Sequence, residues 1–144
     1  MKNKLTIFIL FAVVVASFSC AKPTHPQTGT LTYPIEGLWI GTFKYDQGVS
    51  PNQNPQYFSF VIKPEGELIV ESKDGGIKYF ATGTWTLINN SLQCSYVYSN
   101  SVLGIPLSRM ATATFQNSGK LTTGKWHNQS NVNEKGTFSL NRIN

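Results

Sequence analysis

The stretch "IKYFATGTWTL", residues 77–87, decides the fold. Tyr79, Trp85 and Leu87 fall on one side of a two-residue repeat, the spacing of an extended strand with unlike faces. The same alternation runs through "GLWIGTFKY" (37–45), "YFSFVIK" (57–63), "ELIVES" (67–72) and "LQCSYVYS" (92–99). It continues in "SRMATATF" (108–115), "LTTGKW" (121–126) and "KGTFSL" (135–140). Short turn signals such as "PEGE", "KDGG", "NNS" and "NSGK" separate most of these segments, and no stretch carries apolar residues at helical spacing over three turns. Eight short strands at this pitch predict an all-β sandwich or barrel.

Two parts of the chain repeat one unit. "IKPEGELIV" followed by "GTWTL" matches "FQNSGKLTT" followed by "GKW" and later "GTFSL". Each is a strand, a tight turn containing glycine, a second strand, and a Gly-x-aromatic step. Hairpins joined in sequence order make an antiparallel up-and-down meander, and closure of eight twisted strands removes the exposed edges. A closed barrel is therefore expected in preference to an open sandwich, within a single domain of residues 35–144.

The Gly-x-aromatic step recurs as "GLW" (37–39), "GTW" (83–85), "GKW" (124–126) and "GTF" (136–138). Gly-x-Trp at the start of the first strand, followed by eight strands in one small domain, resembles the calycin group of lipocalins, fatty-acid-binding proteins and avidins. The resemblance implies a structural role for Gly37 and Trp39, with the indole plugging one end of the barrel. The avidins place an Asn two residues after this Trp, where the chain has Gly41, and their Trp-rich biotin box is not recognisable. Biotin is excluded and the architecture kept.

Alternation also assigns faces. Trp39 and Phe43 share one side of the first strand, Phe58, Phe60 and Ile62 one side of the second, and Leu92, Cys94, Tyr96 and Tyr98 one side of the fifth. One reading is a packed apolar core. The other is a lumen in which Phe43, Phe58, Phe60, Tyr79, Trp85, Tyr96 and Tyr98 line a pocket for a small apolar or amphipathic ligand, since eight-stranded barrels can be filled or can hold one small molecule. The tyrosines are the better pocket candidates, because a buried phenol needs a partner and can offer one to a ligand. Two long segments, 46–56 and 99–106, fall at one end of a meander. The apolar Val102, Leu103 and Ile105 in the second are candidates for a rim contact with an envelope protein or a glycan.

The N-terminus gives an address. Lys2 and Lys4 precede the apolar run Leu5–Phe18 and the small residues Ser17 and Ser19, the pattern of a secretory signal over residues 1–19. Fourteen helical residues reach only about 21 Å, short of a hydrocarbon core of about 30 Å. "SFSC" (17–20) resembles the lipobox of bacterial lipoproteins, in the looser form frequent in Bacteroidota, which implies that Cys20 is diacylated and becomes the mature N-terminus. Two acyl chains give stable membrane attachment. Cys94, on the apolar face of a strand, is expected to be a small buried hydrophobe. Residues 20–34 carry three prolines and four threonines after Cys20 and are expected to form a stiff tether that includes His25. Surface-exported lipoproteins of Bacteroidota resemble one another in acidic residues after the cysteine. None stands here before Glu36, which implies the periplasmic face of the outer membrane.

Cleavage before Cys20 would take Lys2 and Lys4 from the twelve basic side chains and leave ten against seven acidic ones. The ten are scattered, so no nucleic-acid footprint exists. His127 is the only histidine of residues 35–144 and has no acidic neighbour in sequence, so neither a triad nor a metal site is expected. Glu65, Glu67 and Glu71 cluster on one hairpin as a solvated edge. The expectation is a non-enzymatic binding protein without cofactor.

Overall fold

A computed structural model describes residues 33–99 and 106–144. Their eight strands are β1 (Gly37–Tyr45), β2 (Gln56–Ile62), β3 (Glu67–Asp74), β4 (Ile77–Ile88), β5 (Ser91–Tyr98), β6 (Leu107–Gln116), β7 (Lys120–Asn128) and β8 (Lys135–Ile143). Each pairs antiparallel with the next, and β8 returns to β1 from Leu38↔Ile143 to Tyr45↔Gly136, closing an up-and-down barrel. The expected fold class is what the chain adopts, with every strand within three residues of its sequence-derived bounds. The expectations for Cys20, Val102, Leu103 and Ile105 lie outside the described residues.

Tight turns set the register. Asp74 pairs with Ile77 across Gly75 and Gly76, and Ile88 pairs with Ser91 across Asn89 and Asn90. All four central residues have positive φ, between 49° and 90°. That left-handed pair matches the twist of the flanking strands, and Gly and Asn reach it at least cost.

The connections after β1, β3, β5 and β7 gather at one end of the barrel, called here the rim. Those after β2, β4 and β6 gather at the opposite pole, where β1 begins. The chain reaches the barrel at this pole: the Tyr33 amide donates to the Asn117 carbonyl at 3.1 Å, and the Arg142 guanidinium lies 5.3 Å from the Tyr33 ring centre. Trp39 sits just inside, fully buried, with its indole N–H donating to the Ile35 carbonyl at 2.8 Å and its ring edge-on to Phe115.

Between pole and rim the lumen is filled by rings. Phe58 packs edge-on against Phe43, Phe60 and Phe138 with centroids 4.9–5.5 Å apart. Room comes from a rule of pairing: Gly41 stands across from Phe58, Gly83 from Tyr96, Gly124 from Phe138, Gly136 from Trp126, and Ala81 from Tyr98. The pairing of Trp126 with Ala111 on its other side completes the pattern. A Cβ at Gly83 would lie 2.0 Å from the Ser95 carbonyl oxygen and 2.6 Å from the Tyr96 Cα, both backbone atoms that cannot step aside.

Gly83→Ala is expected to destabilise the domain by about 2–3 kcal/mol, the cost of overpacking a filled core. Thr84→Ala, on the exposed outer face one residue away, should change stability by less than about 0.5 kcal/mol. Urea midpoints of the two variants check the contrast.

Candidate ligand site at the barrel rim

β6 carries Leu107, Arg109, Ala111, Ala113 and Phe115 on its inward face. Four of these are apolar, and the second places a guanidinium inside a barrel of rings. Arg109 is only 6% exposed. Such a charge is tolerable only with partners. Its Nε donates to Asn128 Oδ1 at 2.7 Å, its Nη2 to Glu134 Oε1 at 3.3 Å. The guanidinium carbon lies 4.3 Å from the Trp126 ring centre and 5.1 Å from that of Tyr98, so one cation stands over two aromatic faces. Burial works against the charge, while the surrounding Tyr98, Tyr96 and Tyr45 hydroxyls favour it. The balance is upward and Arg109 is a permanent cation.

The tyrosines around it differ in their bonding. The Tyr98 hydroxyl shares a buried 3.0 Å hydrogen bond with Ser72 Oγ. Tyr45 donates to Asp74 Oδ2 at 2.8 Å; burial first, and then this carboxylate, push its phenol up to about 12. Tyr96 is fully enclosed; its hydroxyl completes no hydrogen bond of full geometry, and its nearest polar influences are the Tyr98 hydroxyl, as a weak hydrogen-bonding neighbour, and Arg109. Burial raises its pKa well above the ordinary phenol value, so it stays a neutral donor. The buried Trp126 indole N–H has no partner either.

Above this cluster a cleft of ≈ 510 Å³ opens at the rim, lined by Tyr45, the 47–51 segment after β1, and Asn131, Asn133 and Glu134 between β7 and β8. Tyr45 and Glu134 thus face both the cleft and Arg109.

The sequence-derived candidates divide by depth. Tyr96 and Tyr98 belong to the cluster around Arg109, and Tyr79 packs edge-on to Tyr98 at 6.2 Å. Phe43 lies beneath, against Tyr45 and Trp126. Phe58 and Phe60, at 1% and 0% exposure, form the packed middle. Trp85 stands near the opposite pole, where its indole N–H donates to the Lys63 carbonyl at 2.8 Å. Cys94 is a buried free thiol, pushed up to about 12 by burial. His127 lines a separate cleft with Asp46, Lys125 and Lys135. Glu67 and Glu71 pair with Lys63 and Lys78 on the surface.

Arg109, Asn128, Glu134, Tyr45 and Ser72 were not picked out from the sequence, and Trp126 stood out there only as part of the Gly-x-aromatic step. One signal was there: Arg109 occupies an inward position of "SRMATATF", two residues from Ala111, and a charge on an apolar face marks a special environment. Among the described residues no group of three or more His, Cys, Asp or Glu side chains could hold a metal ion. Neither protein-family models nor curated proteins match the chain. Its class is therefore defined by architecture, an eight-stranded antiparallel barrel compatible with a calycin-like fold.

Tyr98→Phe should destabilise the domain by about 1–3 kcal/mol, because it strands the buried Ser72 hydroxyl. Tyr96→Phe removes a buried hydroxyl that has no hydrogen bond of full geometry, so its stability should equal or exceed that of the parent chain in a urea titration.

Alkaline pH should act on Cys94, Tyr45 and Tyr96 together. Each keeps its proton in the fold beyond the point at which the unfolded chain loses it, so the unfolded state binds fewer protons and stability falls as pH rises. The decline starts near the unfolded thiol value of 9.0 and continues toward about 12. Urea midpoints measured from pH 8 upward should fall over that window, and the Cys94→Ala variant should fall less steeply.

Proposed function

We propose that this is a lipid-anchored envelope protein, held through acyl chains on Cys20 at the periplasmic face of the outer membrane, that binds a small amphipathic molecule at the rim of its barrel. The observation that carries the binding reading is Arg109. A filled lumen has no packing need for a guanidinium, and replacing a buried ion pair with apolar side chains is often neutral or stabilising. A buried cation flanked by two unpartnered donors, beneath an open cleft, suits a polar head recognised at depth with an apolar body above it. The deeper rings, Phe58 and Phe60, act as the floor. The reading is of a carrier or sensor, not an enzyme.

A second reading draws on the same cleft. Its lining of Gln47, Ser50, Asn131 and Asn133 is rich in amide and hydroxyl groups, which suits a glycan or a protein loop held at the rim.

Native mass spectrometry of the chain isolated from its own envelope tests the first reading. A stoichiometric adduct lost on unfolding is expected, with a mass in the small-molecule range. Arg109→Met, which keeps the volume and removes the charge, should fold and lack the adduct. A bare chain mass in the parent protein overturns the carrier reading, and an adduct of oligosaccharide mass favours the second.

A further inference from the structure

The partners of Arg109 are unequal. The bond to Asn128 is short and buried, and it comes from the last residue of β7, fixed in the sheet. The bond to Glu134 is long, made by one oxygen, and comes from a side chain that remains 34% exposed toward the cleft, against 7% for Arg109. A guanidinium presents five N–H groups in a planar fork that fits both oxygens of a carboxylate. Here one oxygen is engaged at 3.3 Å, so the pair falls short of that geometry.

The backbone around Glu134 is secured without its carboxylate. Its amide donates to the Asn131 carbonyl at 2.9 Å, and its own carbonyl accepts from the Asn128 amide at 3.0 Å. Asn131 Oδ1 accepts from the Asn133 amide at 3.2 Å. The side chain can therefore swing out into the cleft without unmaking the turn. An anion arriving through the cleft meets Glu134 before it meets Arg109.

Resting on the reading of the rim as a binding site, we infer that Glu134 is an internal occupant of the anion position on Arg109, and that the molecule bound here carries a carboxylate that exchanges with it. In the empty protein Glu134 keeps the buried cation neutralised. On binding, the ligand carboxylate takes the guanidinium, with the Tyr96 hydroxyl as the unspent buried donor beside it, and Glu134 turns to solvent. The exchange conserves charge at the buried site, so no uncompensated ion is created at either stage. It also sets selectivity: an uncharged head leaves Arg109 unpaired if it displaces Glu134, and gains nothing if it does not.

The test is an NMR titration of the full domain with phenylacetate and with its uncharged counterpart phenethyl alcohol, following the Arg109 Nε–H signal. The parent chain, Glu134→Gln and Glu134→Ala are compared. Glu134→Gln keeps an acceptor for Arg109 and removes the competing charge. Both variants are expected to bind phenylacetate about fivefold more tightly than the parent, the size of one partly exposed ion pair. The alcohol should show no such gain. Equal or weaker phenylacetate binding in both variants overturns the exchange and makes Glu134 a fixed partner. Equal gains for acid and alcohol overturn it too, since Glu134 then only blocks the cleft. No phenylacetate binding by any of the three chains also overturns the inference, while the native adduct still decides the binding reading separately.

Discussion

Volume inside an eight-stranded barrel is the constraint on which the rest of this molecule depends. The closed sheet leaves an interior just wide enough for side chains, and this chain fills it with rings of Phe, Tyr and Trp. Rings that large fit only where a neighbouring strand contributes almost nothing. Gly41, Gly83, Gly124 and Gly136 supply those gaps, each in register with a ring. The recurrent Gly-x-aromatic step is thus one unit of packing: it places a gap and a ring two residues apart on the same inward face. Closure and filling are two sides of one solution.

The filled interior shapes the site. Phe58 and Phe60 are locked by mutual edge-on contacts, so the proposed site is confined to the rim end. There the composition changes. Arg109, Asn128, Ser72 and the tyrosines replace the phenylalanines; Ser72 pairs with Tyr98 and Arg109 with Asn128, while the buried Tyr96 hydroxyl and Trp126 N–H are left without a partner. Those two exceptions matter because a buried polar group without a partner is costly. They mark where the barrel departs from optimum packing.

Much of the fold was legible before any coordinates. The two-residue alternation of "IKYFATGTWTL" and its seven companions carries the strands, the Gly-Gly and Asn-Asn pairs carry the hairpins, and equal spacing carries the meander. Trp39 was legible as inward-facing from alternation along β1, and as a structural plug only through the resemblance of its Gly-x-Trp start. The site was legible only in part. Tyr96 and Tyr98 follow from alternation, because facing is a local property of a strand. The meeting of Arg109 with Asn128 and Glu134 is set by the pairing of β6 with β7 and by the path of a connection, which no local pattern encodes. Trp85 shows the opposite limit: its inward face is readable, but its position along the barrel axis depends on the stagger of the strands, and that puts it near the far pole.

The path of the chain into the barrel has an orientational meaning. Tyr33 is fastened at the pole opposite the rim, by the hydrogen bond from its backbone N–H to the Asn117 carbonyl in the β6–β7 turn and by the Arg142 guanidinium of β8 against its ring. A protein held to a bilayer through residues preceding Tyr33 would therefore hang with its closed pole toward the lipid and its cleft toward the aqueous space. The proposed rim cleft would then open to the water phase, away from the lipid. It is poorly placed to lift a lipid from the leaflet in which it is rooted.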